Sequence, residues 1–167
     1  MSSTDSRFRA ERLDAVRQSL VARTPADGDL PGSFVDAVFP ELPDAFALAD
    51  IDELVQRVAG AYDFVLHTDP PAFQAYRGAP GLHVRACNLD TDEDVTVVET
   101  HTAHVPFIFE SLRNYFQAQG LRVISAIHPL FSVQRQWERI VRIGDAGDEG
   151  TRELYCQFRI ERLDSRE

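Results

Sequence analysis

Residues 154 to 161 alternate without exception. Leu154, Cys156, Phe158 and Ile160 are apolar, and Tyr155, Gln157, Arg159 and Glu161 stand between them. A period of two predicts a half-buried antiparallel strand, because a helix with that pattern would have no continuous apolar face. Such a strand needs paired neighbours and a cover on its apolar face. The preceding residues offer both. His83–Asn88 and the β-branched run Val95–His101 read as strands. Pro106 suits a first helical turn, and Ile108, Leu112 and Tyr115 form a core stripe widened by Phe109 and Phe116. Gly120 closes that helix. Leu121–Ile127 reads as a strand ended by Pro129. Phe131–Arg135 and Glu138–Ile143 read as a continuing strand and a hairpin partner. The order strand, strand, helix, strand, hairpin, strand contains the opening of a ferredoxin-like βαββαβ unit. The second helix of that unit is missing. The pattern is an incomplete unit, or a variant in which His83–Asn88 replaces the absent strand.

The first third reads as helical. Leu13, Val16 and Leu20 form a stripe on a helix from about Ser6 to Arg23, broken at Thr24-Pro25. A short apolar run, Phe34–Phe39, stops at Pro40. Asp50 stands at an N-cap with Glu53 three residues on, a capping-box arrangement. Ile51, Leu54, Val55, Val58 and Tyr62 then fall on one face. Residues 69–82 carry Pro70, Pro71, Gly78 and Pro80 and read as a connector. The expected organisation is a helical segment (1–68), the connector (69–82) and an α+β domain (83–167). At 167 residues and 44% hydrophobic, the chain can bury a core without staples.

Charge and composition exclude several functions. Net charge is −10, which argues against nucleic acid and anionic lipid as partners. All 17 basic residues are Arg. Without Lys there is no phosphate-loop Lys, no Schiff base and no Lys general base. There is no GxGxxG. No apolar run reaches the roughly 18 residues of a membrane helix, and Met1–Arg9 has no signal-peptide core. The expected setting is the cytoplasm, with Cys87 and Cys156 a buried reduced pair.

Candidate chemical groups each have a plainer structural role. His101, His104 and Glu99 could ligate a metal, but no third strong ligand has motif spacing, so no metal is expected. Glu99 and Glu110 could form an acid–base pair, yet a solvated pair is favoured. Ser111, Ser125 and Ser132 lack a GxSxG context. Asp90, Asp92, Glu93 and Asp94 read as a solvated turn, lacking the glycine and final glutamate of a calcium loop. Gly144–Gly150 reads as a flexible hairpin tip. The aromatic density of Phe107, Phe109, Tyr115 and Phe116 suits a core helix or an interface equally. No catalytic residue is expected.

Val97-Val98-Glu99 followed by Pro106-Phe107-Ile108-Phe109-Glu110-Ser111 resembles the N-terminal region of the large bacterial NAD-specific glutamate dehydrogenases. Gly120-Leu121, Ile127-His128-Pro129 and Phe131–Arg135 continue the likeness in order. Val84–Asn88 upstream and Glu153–Arg162 downstream extend it. The likeness is strongest over residues 83–162. That family's turn is usually an Asp pair; here Ala103 and His104 stand there.

The resemblance implies an α+β fold, with N-terminal helices beside an ACT-like (ferredoxin-like, βαββ-type) antiparallel sheet and one core helix. It implies a non-catalytic regulatory or assembly domain. Downstream domains would oxidise glutamate to 2-oxoglutarate with NAD, so no cofactor is expected within this chain. The family's chemistry relies on lysines, which the chain lacks. Expected partners are other domains and subunits of a homo-oligomer, and an amino-acid effector. The expected effector site is the strand-to-helix turn, Thr102, Ala103, His104, Val105 and Pro106, with Arg122 adding a charge-assisted bond. The alternative is a free-standing ACT-like module that binds an amino acid or dimerises.

Overall fold

Strands form where β-branched residues and strict alternation predict them. A computed structural model describes residues 3–39, 50–67, 82–88, 94–137 and 139–163. The helices are α1 (Ser3–Arg23), α2 (Leu30–Val38), α3 (Ile51–His67) and α4 (Ile108–Ala118), with a 3-10 turn at Pro25–Asp27. The strands are β1 (Leu82–Asn88), β2 (Val95–Ala103), β3 (Val123–Ile127), β4 (Leu130–Gln136), β5 (Arg139–Asp145) and β6 (Thr151–Glu161). The expected connector and the acidic stretch 90–93 lie almost wholly outside the described residues.

The chain divides into two units. One comprises Met1–Asp69 with Leu130–Arg152, and the other Pro70–Pro129 with Glu153–Glu167. The first therefore takes up the hairpin β4–β5 together with the N-terminal helices, although the hairpin follows them by more than sixty residues in sequence.

In the first unit, Val16 and Leu20 of α1 are buried, as are Leu54, Val55, Val58, Tyr62 and Val65 of α3. The short run at 34–39 is mostly helical: it supplies α2, whose Phe34, Val35, Ala37 and Val38 are buried. Pro31 sits in its first turn, where a missing N–H costs nothing. Phe34 meets the Tyr62 ring edge-on at 5.3 Å. Tyr62 donates its hydroxyl to Asp27 Oδ2 at 2.8 Å, and burial with that carboxylate raises the phenol's pKa. Arg17 of α1 pairs with Asp36 of α2. At the start of α3, Asp50 Oδ1 accepts the Asp52 N–H at 2.8 Å. The other half of the expected capping box is absent from the described bonds, because Glu53 pairs with Arg57 one turn on.

In the second unit, the sheet order is β1-β2-β6-β3, antiparallel throughout. That is the ferredoxin-like order, with β1 in the place of the fourth strand. His83–Asn88 thus fills the position of the absent strand. After β3 the chain forms the β4–β5 hairpin and returns as β6, and the six-stranded path runs β1-β2-β6-β4-β5 with β3 pairing β6 off that path. Helix α4 lies on one face. Its Phe109 stacks on Phe158 at 5.2 Å and its Phe116 meets the same ring edge-on at 5.1 Å. Gly120 follows with φ +74, the left-handed residue past a helix end.

Three expectations change. The helix starts at Ile108, because Phe107 adopts φ +66 and cannot be a helical residue, so Pro106 precedes the helix. The inward stripe is Phe109, Leu112 and Phe116, and Tyr115 is 58% exposed. β6 is buried on both faces: Tyr155, Gln157 and Arg159 are covered as fully as their apolar neighbours. Tyr155 and Gln157 can be buried because they have polar partners.

Candidate functional site

β2 is buried along all nine residues, yet its two faces differ in chemistry. Val98 pairs with Phe158, Thr100 with Cys156 and Thr102 with Leu154. These residues share the face that α4 covers, since side chains alternate along a strand. Glu99, His101 and Ala103 point to the other face.

That other face holds a buried polar network. Arg85 of β1 donates from Nε to Glu99 Oε2 at 2.6 Å. Tyr155 donates to Glu99 Oε1 at 2.7 Å, and Gln157 donates to the Tyr155 hydroxyl at 2.9 Å. Burial and the Glu99 charge push the Tyr155 hydroxyl well above its usual range. His101 Nε2 lies 2.8 Å from Glu153 Oε2, with both side chains almost fully buried.

The rival chemistries come apart on this geometry. His101 is buried on the face away from α4, while His104 is exposed in the turn. No group of three His, Cys, Asp or Glu among the described residues could hold a metal. Glu99 is held by Arg85 and Tyr155, whereas Glu110 is exposed in the first turn of α4. Ser111, Ser125 and Ser132 stand on α4, β3 and β4. Asp148 caps the Gly144–Gly150 turn, accepting the Asp145 N–H at 3.2 Å, so an acid rather than an anion nest occupies it. The cysteines are free but not a buried pair. Cys156 is buried, its thiol pushed up to about 11 by desolvation. Cys87 is exposed because β1 is an edge strand.

The strand-to-helix turn remains. Thr102 is 1% exposed, and its hydroxyl has no hydrogen-bond partner among the described residues. Ala103 is buried, Val105 is half-buried, and His104 and Pro106 are exposed. Phe107 is the N-cap of α4, and no side chain caps the helix there. Its first N–H groups therefore face outward as donors, with the positive end of the helix dipole behind them. The structure does not bring Arg122 to this place. The Arg122 carbonyl accepts the Glu161 N–H, and Glu161 pairs with Val95 at the opposite end of β2. At ~3.3 Å per residue, the two ends of that nine-residue strand are about 25 Å apart.

His128 is the residue that sequence reasoning missed. It follows β3, and its ring lies 3.9 Å from that of Phe109, beside the start of α4. Its only sequence signal is the His-Pro pair at the end of a strand. Thr102 thus supplies a buried hydroxyl, the start of α4 backbone N–H donors and His128 an imidazole, groups of a kind that suit a small anion.

A family model described as glutamate dehydrogenase, ACT1 domain, matches residues 34–167. The chain belongs to that family. No curated protein and no solved structure matches it significantly. The α+β architecture of this ACT1 domain agrees with the family. Its described helices include none long and apolar enough to cross a membrane.

Proposed function

We propose that this ACT1 domain is a non-catalytic regulatory and assembly domain of a large NAD-specific glutamate dehydrogenase, and that its strand-to-helix turn seats an amino-acid effector. NAD and glutamate would bind downstream, and partners would be other domains and subunits of a homo-oligomer. The absence of Lys supports a role without catalysis. The observation that carries the effector site is the Thr102 hydroxyl, buried and unpartnered on the face that α4 covers. Such a group costs stability until something bonds it. A carboxylate at the uncapped start of α4 would accept the helix N–H groups, with His128 at its flank.

Thr102→Val keeps the side-chain shape and removes the hydroxyl. In the ligand-free chain it is expected to raise unfolding stability by about 1 kcal/mol. Effector affinity, read by calorimetry, is expected to fall about tenfold, the worth of one hydrogen bond to a charged group. Unchanged affinity for every amino acid that binds would remove the turn from the account.

A further inference from the structure

The first unit contains a cleft of about 950 Å³ that no residue of the strand-to-helix turn lines. It lies between the start of α2, the last turn of α3 and strand β5, and it is large enough for a small metabolite. His67 lines it with its ring nitrogen on Asp63, and the remaining charged residues fall in two groups. Arg139 and Arg142 come from β5, and Asp27 and Asp29 from the segment leading into α2. The β4–β5 register shifts between Gln134 and Arg135, pairing Gln134 with Arg142 and Arg135 with Ile140, so Val141 is an extra residue. That bulge places Ile140 and Ile143 together in the core and leaves Arg139 and Arg142 together on the exposed face. Without it, two residues three apart on a strand would point to opposite faces.

Neither arginine has an ion pair or side-chain hydrogen bond among the described residues. Asp29 makes no side-chain cap to α2, and Asp27 accepts one bond, from Tyr62, leaving most of its lone pairs free. A free dianion such as phosphate would meet both arginines but also both carboxylates. A simple cation would meet the reverse conflict. A molecule bearing one charge of each sign satisfies both groups.

We propose that this cleft binds a small zwitterion of the free amino-acid class, with its carboxylate on Arg139 and Arg142 and its ammonium on Asp27 and Asp29. The site is separate from the strand-to-helix turn and stands whether or not that turn binds an effector. Two guanidinium groups on one carboxylate would give charge-assisted bonds that lysines could not reproduce in the same planar form.

Trp137 supplies the readout. It is the chain's single tryptophan, 98% exposed at the tip of the β4–β5 hairpin, two residues from Arg139. The intact chain is titrated with L-aspartate, L-alanine and L-arginine, followed by calorimetry and Trp137 emission. Saturable binding of at least one of them is expected, with a change in emission. The N-acetyl form and the methyl ester of that ligand each lose one charge, and each is expected to bind at least about tenfold more weakly. R139Q/R142Q is expected to remove one site from the calorimetric stoichiometry, and R142Q alone to weaken it. R152Q, an exposed arginine outside the cleft, is expected to leave binding unchanged. Circular dichroism confirms that each variant is folded. Absence of saturable binding by all of these amino acids would overturn the proposal. So would equal binding of the ester, or a stoichiometry and affinity unaltered in both R142Q and R139Q/R142Q.

Discussion

Phe158→Ala is expected to destabilise the chain by about 3–5 kcal/mol, the range for truncating a buried aromatic. Phe158 is fully buried in β6 and is the ring on which both Phe109 and Phe116 of α4 rest. Truncation removes two aromatic contacts at once and leaves a void between helix and sheet, which close-packed neighbours only partly refill. For a chain of this length the loss is roughly 10 °C in melting temperature. Thermal unfolding followed by far-ultraviolet circular dichroism measures it. Phe158→Leu should recover more than half of the difference, since it refills most of the volume. A loss below about 1 kcal/mol for the alanine variant would mean that α4 does not depend on this ring.

His101→Ala is expected to cost a similar amount for a different reason. The imidazole is fully buried and hydrogen-bonded to Glu153, itself 1% exposed. Its removal opens a cavity and takes this hydrogen-bond partner from buried Glu153. Breaking a buried pair from one side typically costs about 3–5 kcal/mol. Glu153→Gln keeps the volume and can still hydrogen-bond to Nε2, so its expected cost is smaller, about 1–3 kcal/mol. Urea denaturation of the two variants checks the order. If Glu153→Gln proved the more damaging, the charge on Glu153 would matter more than the packing and hydrogen bond of His101.

Much of the fold was legible because hydrophobic period carries it. Leu154, Cys156, Phe158 and Ile160 face one way as their alternation requires, and Val16 and Leu20 are buried as their spacing requires. Other features depend on contacts that no local pattern encodes. Ile108, Leu112 and Tyr115 make as good a stripe as Phe109, Leu112 and Phe116, and only the position of Phe158 selects the second. Polar residues in β6 read as solvent-facing, because Tyr155 and Gln157 betray nothing of their partners, one of which lies 56 residues away. The run at 34–39 is too short for a helical period to declare itself between its prolines. At the turn, the expectation for Thr102–Pro106 comes from the family resemblance alone. Placing Arg122 with them failed because a helix separates the two ends of the sheet. His128 could not be found without knowing that β3 ends beside Phe109.

The central proposal is that this ACT1 domain works within a glutamate dehydrogenase. Immunodepletion tests it most directly. An antibody against this chain is applied to a native extract of the source cells, and glutamate-dependent NADH formation is assayed in the supernatant and on the beads. The account predicts that the activity leaves the supernatant with the antibody, on a polypeptide many times larger than the 18.8 kDa of this chain. Activity left wholly in the supernatant, with an inactive 18.8 kDa polypeptide on the beads, would contradict it.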